Sequence, residues 1–151
     1  MKILVYGYGN PGRQDDGLGI KLSEQIELWV KDENIAGVEV DYNYQLNIED
    51  ADRISGMDIV LFADASTEPI DEFVLTKVNP DDSSIEFTMH AVSPAFVLDL
   101  CRKLYAKCPE TYLLHIKGYE WEFKEELSEN AIINLGKAIG FVKEKVLEFI
   151  K

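Results

Sequence analysis

The stretch from Lys2 to Tyr8 runs almost without polar interruption and then breaks into glycine. A run of this kind marks a strand covered on both faces, and such strands belong to sheets with helices packed on each side. That one feature selects α/β architectures over bundles and sandwiches. Beyond the glycine-rich stretch Gly7 to Gly19, apolar residues recur at Leu18, Leu22, Ile26 and Trp29, which is helical spacing. Val38 to Gln45 alternates as a strand, Ile48 to Ile54 reads as a short helix, and Asp58 to Ala63 is a second buried strand ending at Asp64. Glu72 to Val78 and Ser84 to Met89 read as strands joined by the turn Asn79-Pro80-Asp81-Asp82. Ser93-Pro94 opens a helix, with serine as N-cap and Val97, Leu100, Cys101 and Leu104 as its expected buried face. Thr111 to Lys117 is another strand. A last helix starts near Ser128 and carries Ile132, Leu135, Ile139, Val142 and Val146. Strands alternating with helices predict one domain over residues 1–151, a three-layer α/β/α fold on a doubly wound, mostly parallel sheet.

Composition narrows the partners. With 28 acidic against 15 basic residues the net charge is −13, which argues against a nucleic-acid binder, since phosphate binding draws on Lys and Arg. At 46% hydrophobic and 151 residues, the chain can fill one core without staples. Cys101 and Cys108 make no disulfide framework and fit a reducing compartment. No apolar run approaches the ~20 residues that span a bilayer. The opening MKILVYGYGN reaches glycine too soon for a signal-peptide core. The expectation is a soluble cytoplasmic protein with no membrane partner, and a monomer in the simplest case.

In doubly wound sheets, ligands gather outside the carboxyl ends of the strands. Three loops fall there, contributing Asn10, Asp15 and Asp16, then Asp64, then His90. Gly7-Tyr-Gly9-Asn-Pro-Gly12 matches the dinucleotide fingerprint, with Glu39 and Asp41 as candidate ribose partners. Two carboxylates at the helix start would, however, repel the pyrophosphate that belongs there. The same GYGNPG stretch resembles the opening of bacterial peptidyl-tRNA hydrolase. That family's catalytic histidine has no counterpart before His90, and the charge suits no tRNA.

A broader resemblance starts from Gly7-Tyr-Gly9-Asn10, four residues, then Asp15-Asp16-Gly17-Leu-Gly19. It continues at Asp58 to Ala65 (DIVLFADA), at His90 ahead of a leucine-containing helix, and through the final helix. In order and together, these motifs resemble hydrogenase maturation proteases, which trim the C-terminal extension of nickel–iron hydrogenase large subunits. The resemblance implies a phosphorylase/hydrolase-like α/β/α fold. It also implies an endopeptidase whose Asp16, Asp64 and His90 contact nickel that arrives with the precursor, with zinc or cadmium as surrogates. Two oxygens and one imidazole suit such a borderline ion. A metal-polarised peptide bond would then be attacked by water, and no Ser–His or Cys–His pairing suggests a covalent nucleophile. After the second strand the family's Gly-Gly pair is replaced by Asp41-Tyr-Asn-Tyr-Gln-Leu-Asn-Ile-Glu-Asp50, so the shape of one cleft wall is not carried over. The alternatives are a non-enzymatic metal-handling or partner-binding protein on the same scaffold and, behind it, a nucleotide binder.

Other residues have plainer readings. Asp15 is expected to cap the first helix, and Asn10 to orient its loop through Asx-type hydrogen bonds. His115 is read as structural in mid-strand, Cys101 as core, and Cys108 as lacking a base. Tyr119, Trp121 and Phe123 alternate with charges, as in an edge ribbon, a docking loop or a packed segment.

Overall fold

The computed structural model describes residues 1–83 and 92–151. Among them, β1 (Ile3–Tyr8), β2 (Val38–Asn43), β3 (Ile59–Ser66), β4 (Phe73–Lys77) and β5 (Glu110–Lys117) form one sheet in the order β2-β1-β3-β5-β4. Every pairing is parallel except that of β4, an edge strand antiparallel to β5. The helices are α1 (Leu18–Asp32), α2 (Asp50–Ser55), α3 (Pro94–Tyr105) and α4 (Glu129–Ile150).

Alternate residues of the central strands enter two separate cores. Ile3, Val5, Leu61 and Ala63 join Leu22 and Ile26 of α1 and Val142 and Val146 of α4. Leu4, Tyr6, Val60 and Phe62 face the other way, onto Ala51 and Ile54 of α2 and Val97, Leu98 and Cys101 of α3. Both sides of β1 and β3 are therefore dry, which is why they read as unbroken apolar runs. The layering is the three-layer α/β/α arrangement that the sequence predicts.

The α1 crossover carries the chain from β1 to β2 over one face, and α2 returns it to β3 over the other. The carboxyl ends of β1 and β3 consequently bound the crevice where strand order reverses. Close approach of α1 to that crevice depends on glycine. A Cβ at Gly7 would lie 1.9 Å from the Gly19 carbonyl oxygen.

Two helix faces differ from expectation. In α3 the buried stripe is Pro94, Val97, Leu98 and Cys101, while Leu104 is exposed and Leu100 only partly covered. The Ser93 cap sets the helix phase, its Oγ accepting from the Phe96 N–H at 3.1 Å, and the last turn runs past the sheet. In α4 the buried line is Ala131, Asn134, Ala138, Val142 and Val146, whereas Ile132 is exposed. Small alanines let that helix lie close, so the bulkier Leu135 and Ile139 flank the contact instead of centring it. The strand expected over Ser84 to Met89 lies outside the described residues. Among the described residues, no helix is long and apolar enough to cross a membrane.

Candidate functional site

β1 delivers Tyr8 and then Gly9, whose φ of +137° favours glycine and whose absent Cβ would stand 2.0 Å from the Asp16 carbonyl oxygen. The chain folds back on that contact. The Asn10 N–H donates to Asp16 Oδ2 at 2.8 Å, and Asn10 Oδ1 accepts from the Gly12 N–H at 2.8 Å, the Asx-type turn expected of Asn10. Asp16 is thus fixed by its own loop, within the 3-10 turn Gln14–Gly17 that precedes α1. The acidic turn stands where a dinucleotide's pyrophosphate would sit, and a loop N–H is already taken by Asp16. Both observations disfavour the nucleotide reading.

β3 delivers Asp64. The strand continues to Ser66 beside β5, with Asp64 opposite His115, but its pairing with β1 stops at Gly7 and Ala63. Asp64 therefore stands at the mouth of the crevice. Burial and the nearby Asp16 charge push its pKa up to about 7, against hydrogen bonds from the Ala65 N–H and the Tyr8 hydroxyl. Two carboxylates that repel one another in a half-buried crevice are relieved by a proton or by a cation, and an oxygen donor set of this kind suits a divalent ion. Among the described residues, no three His, Cys, Asp or Glu side chains form a metal-ligating group. Asp16 and Asp64 are brought together; His90 lies outside the described residues.

Removing this repulsion has a measurable effect on the metal-free protein. Between the ordinary aspartate pKa and about 7, folded Asp64 keeps a proton that the unfolded chain has released. Wild-type stability should therefore fall as pH rises through that interval. Asp64→Asn should flatten that slope and gain about 2–3 kcal/mol at pH 8, as read by urea denaturation across pH.

Asp15 does not cap α1, whose N-cap is Gly17 and has no side-chain cap. Its buried carboxylate reaches instead to the loop between β5 and α4. Oδ2 accepts from the N–H groups of Tyr119 (2.7 Å) and Glu120 (3.0 Å) and from Ser128 Oγ (2.6 Å), and Oδ1 accepts from the Ser128 N–H (2.8 Å). Burial alone would raise its pKa; these hydrogen bonds outweigh burial and hold it below the ordinary value. Neighbouring contacts extend the seam. Gln14 exchanges hydrogen bonds with Lys124 and Glu122, and the Arg13 guanidinium lies 5.3 Å from the Phe123 ring centroid. Tyr119 to Lys124 is accordingly a loop tied to the acidic turn, and the exposed Phe123 is no part of the core. A groove of about 280 Å³ lined by Pro11, Ile20, Glu24, Tyr42, Asn43 and Tyr44 adjoins the turn. A larger cavity of about 550 Å³, near Val78, Leu98 and Cys108, lies at the opposite edge of β5.

No protein-family model matches the chain, and no curated protein matches it significantly in sequence. Solved structures do match in shape. The hydrogenase maturating endopeptidase HybD from E. coli superposes with a TM-score of 0.76 at 19% identity, covering 98% of this chain and 93% of that one. The NiFe hydrogenase maturation protease HycI from Thermococcus kodakarensis KOD1 gives 0.75 at 19% identity, covering 95% and 90%. An uncharacterized protein from Wolinella succinogenes gives 0.66 at 22% identity, covering 99% of both chains. The fold is that of the hydrogenase maturation proteases.

On this maturation-protease fold, three residues have a place that sequence reasoning did not foresee. Asp15 ties two loops together, Tyr8 lies against Asp64, and His115 is in register with Asp64 while its Nε2 sits 2.9 Å from Thr76 Oγ1. Each depends on pairing between segments far apart in the chain, and no local pattern signals it. Cys101 is buried as expected, and both cysteines are free.

Proposed function

We propose that this chain is an endopeptidase that removes the C-terminal extension from a nickel-loaded hydrogenase large-subunit precursor. What carries the reading is the pairing of Asp16 with Asp64 at the reversal point of this sheet. Support comes from the fold, shared over nearly the whole chain with proteins named as hydrogenase maturation proteases and endopeptidases. In this reading Asp16, Asp64 and His90 grip the nickel that the precursor brings, and zinc or cadmium can stand in for it. Nickel so held supplies Lewis acidity at the scissile carbonyl. The chain's own part is to hold Asp16 through the Asn10 N–H, to keep Asp64 in the crevice, and to seat a precursor segment along the Tyr42–Tyr44 groove. The mutual repulsion of the two carboxylates favours a metal-loaded precursor over an empty one.

The test is incubation of the purified protein with nickel-loaded and metal-free precursor, followed by mass spectrometry of the large subunit. The expected result is loss of a C-terminal peptide from the loaded precursor alone, with Asp64→Ala slowing release about 100-fold or more. Release that Asp64→Ala leaves untouched, or no release from loaded precursor, would overturn the reading.

A further inference from the structure

Tyr8 lies at the end of β1, one residue beyond the last pair with β3, Gly7 with Ala63. The next residues on the two strands, Tyr8 and Asp64, are therefore neighbours, and alternation sends both to the α2–α3 side of the sheet. Phe62, two residues before Asp64, meets the Tyr8 ring edge-on, with centroids 6.4 Å apart at 79°. That contact aims the phenol along the strand ends, with its hydroxyl against the Asp64 carboxylate. A phenylalanine would fill the same space and make the same ring contact. What the hydroxyl adds is its bond to Asp64.

We propose that Tyr8 is a positioning residue for Asp64, its hydroxyl donating to the carboxylate and holding it in one orientation toward Asp16. This rests on reading Asp16 and Asp64 as the place where the precursor's metal is gripped. The phenol serves only as donor, because burial and the adjacent Asp64 raise its pKa well above the ordinary tyrosine value. Bonded by Tyr8 and by the Ala65 N–H, Asp64 keeps lone pairs for a cation without spending ordering entropy when one arrives. Partners that orient a metal-binding carboxylate in this way typically account for 10–100-fold in affinity.

Tyr8→Phe tests the proposal through two readouts on the intact protein. In the metal-free state, three-bond NMR couplings across the Asp64 Cα–Cβ bond should report one rotamer in the wild type and an average in the variant. Titration with nickel(II) should then give an affinity about 10–100-fold weaker for the variant, at nearly unchanged Tm. A variant whose Asp64 keeps its single rotamer overturns the proposal. So does one that loses the rotamer yet binds nickel as tightly as the wild type. A wild type that binds no nickel while the variant still frees the Asp64 rotamer would support the positioning role and count against the metal reading, so the two failures are told apart.

Discussion

Asp15→Ala is expected to remove about 3–5 kcal/mol of folding stability, a loss in the range seen when one partner of a buried charged network is deleted. Four donors converge on this carboxylate, from Tyr119, Glu120 and twice from Ser128, and truncation leaves them facing one another. Asp15→Asn keeps the shape, but places an amide nitrogen among N–H groups and cannot restore all four bonds. It should recover less than half of the loss. The pH dependence identifies the cause. Because the folded pKa is depressed, the carboxylate's contribution is fully present above the ordinary aspartate pKa. It is lost as pH falls through the depressed value. Urea denaturation of wild type and Asp15→Asn should thus show a gap at neutral pH that closes in acid, whereas a purely steric defect would leave the gap constant.

Gly19→Ala is the second change of this size. A Cβ there would meet the Ala63 carbonyl oxygen at 2.3 Å, the Tyr8 carbonyl oxygen at 2.6 Å and the Tyr8 nitrogen at 3.0 Å. All three atoms are backbone of the two central strands, so no side chain can swing aside. The methyl would wedge α1 away from the sheet, at an expected cost of at least about 3 kcal/mol. Gly140→Ala serves as the control: it lies within α4 with nothing near its Cβ position, and helix propensity predicts a gain of up to about 1 kcal/mol. Thermal denaturation of the pair should therefore move in opposite directions. If Gly19→Ala melted like the wild type, the close seating of α1 on the strand ends would be wrong.

Much of this architecture was legible because it rests on local physics. Burial on both faces made β1 and β3 visible as apolar runs, and the serine caps of α3 and α4 were visible because an N-cap needs a side-chain oxygen at one place. Faces were harder. Hydrophobicity chose Ile132 over Ala131 in α4, since a close helix contact rewards small residues that a hydrophobic pattern ranks low. The candidate site divided the same way. Asp16 and Asp64 stood out as acids at the ends of recognisable elements. The carboxylate of Asp15 looked like a cap because its real partners come from another part of the sheet's edge. The nearness of Tyr8 and His115 to Asp64 depends on strand register, which no single segment encodes.

The seam around Asp15 also sets an order of events during synthesis. Its partners lie 104, 105 and 113 residues downstream. At a ribosome's pace of about 5–20 residues per second, on the order of ten seconds separates the making of Asp15 from that of Ser128. Throughout that interval the acidic turn exists as sequence but lacks the bonds that lock it. A nascent chain thus carries both Asp16 and Asp64 well before it can hold them rigidly, and becomes competent to grip a cation only as its last helix begins to emerge.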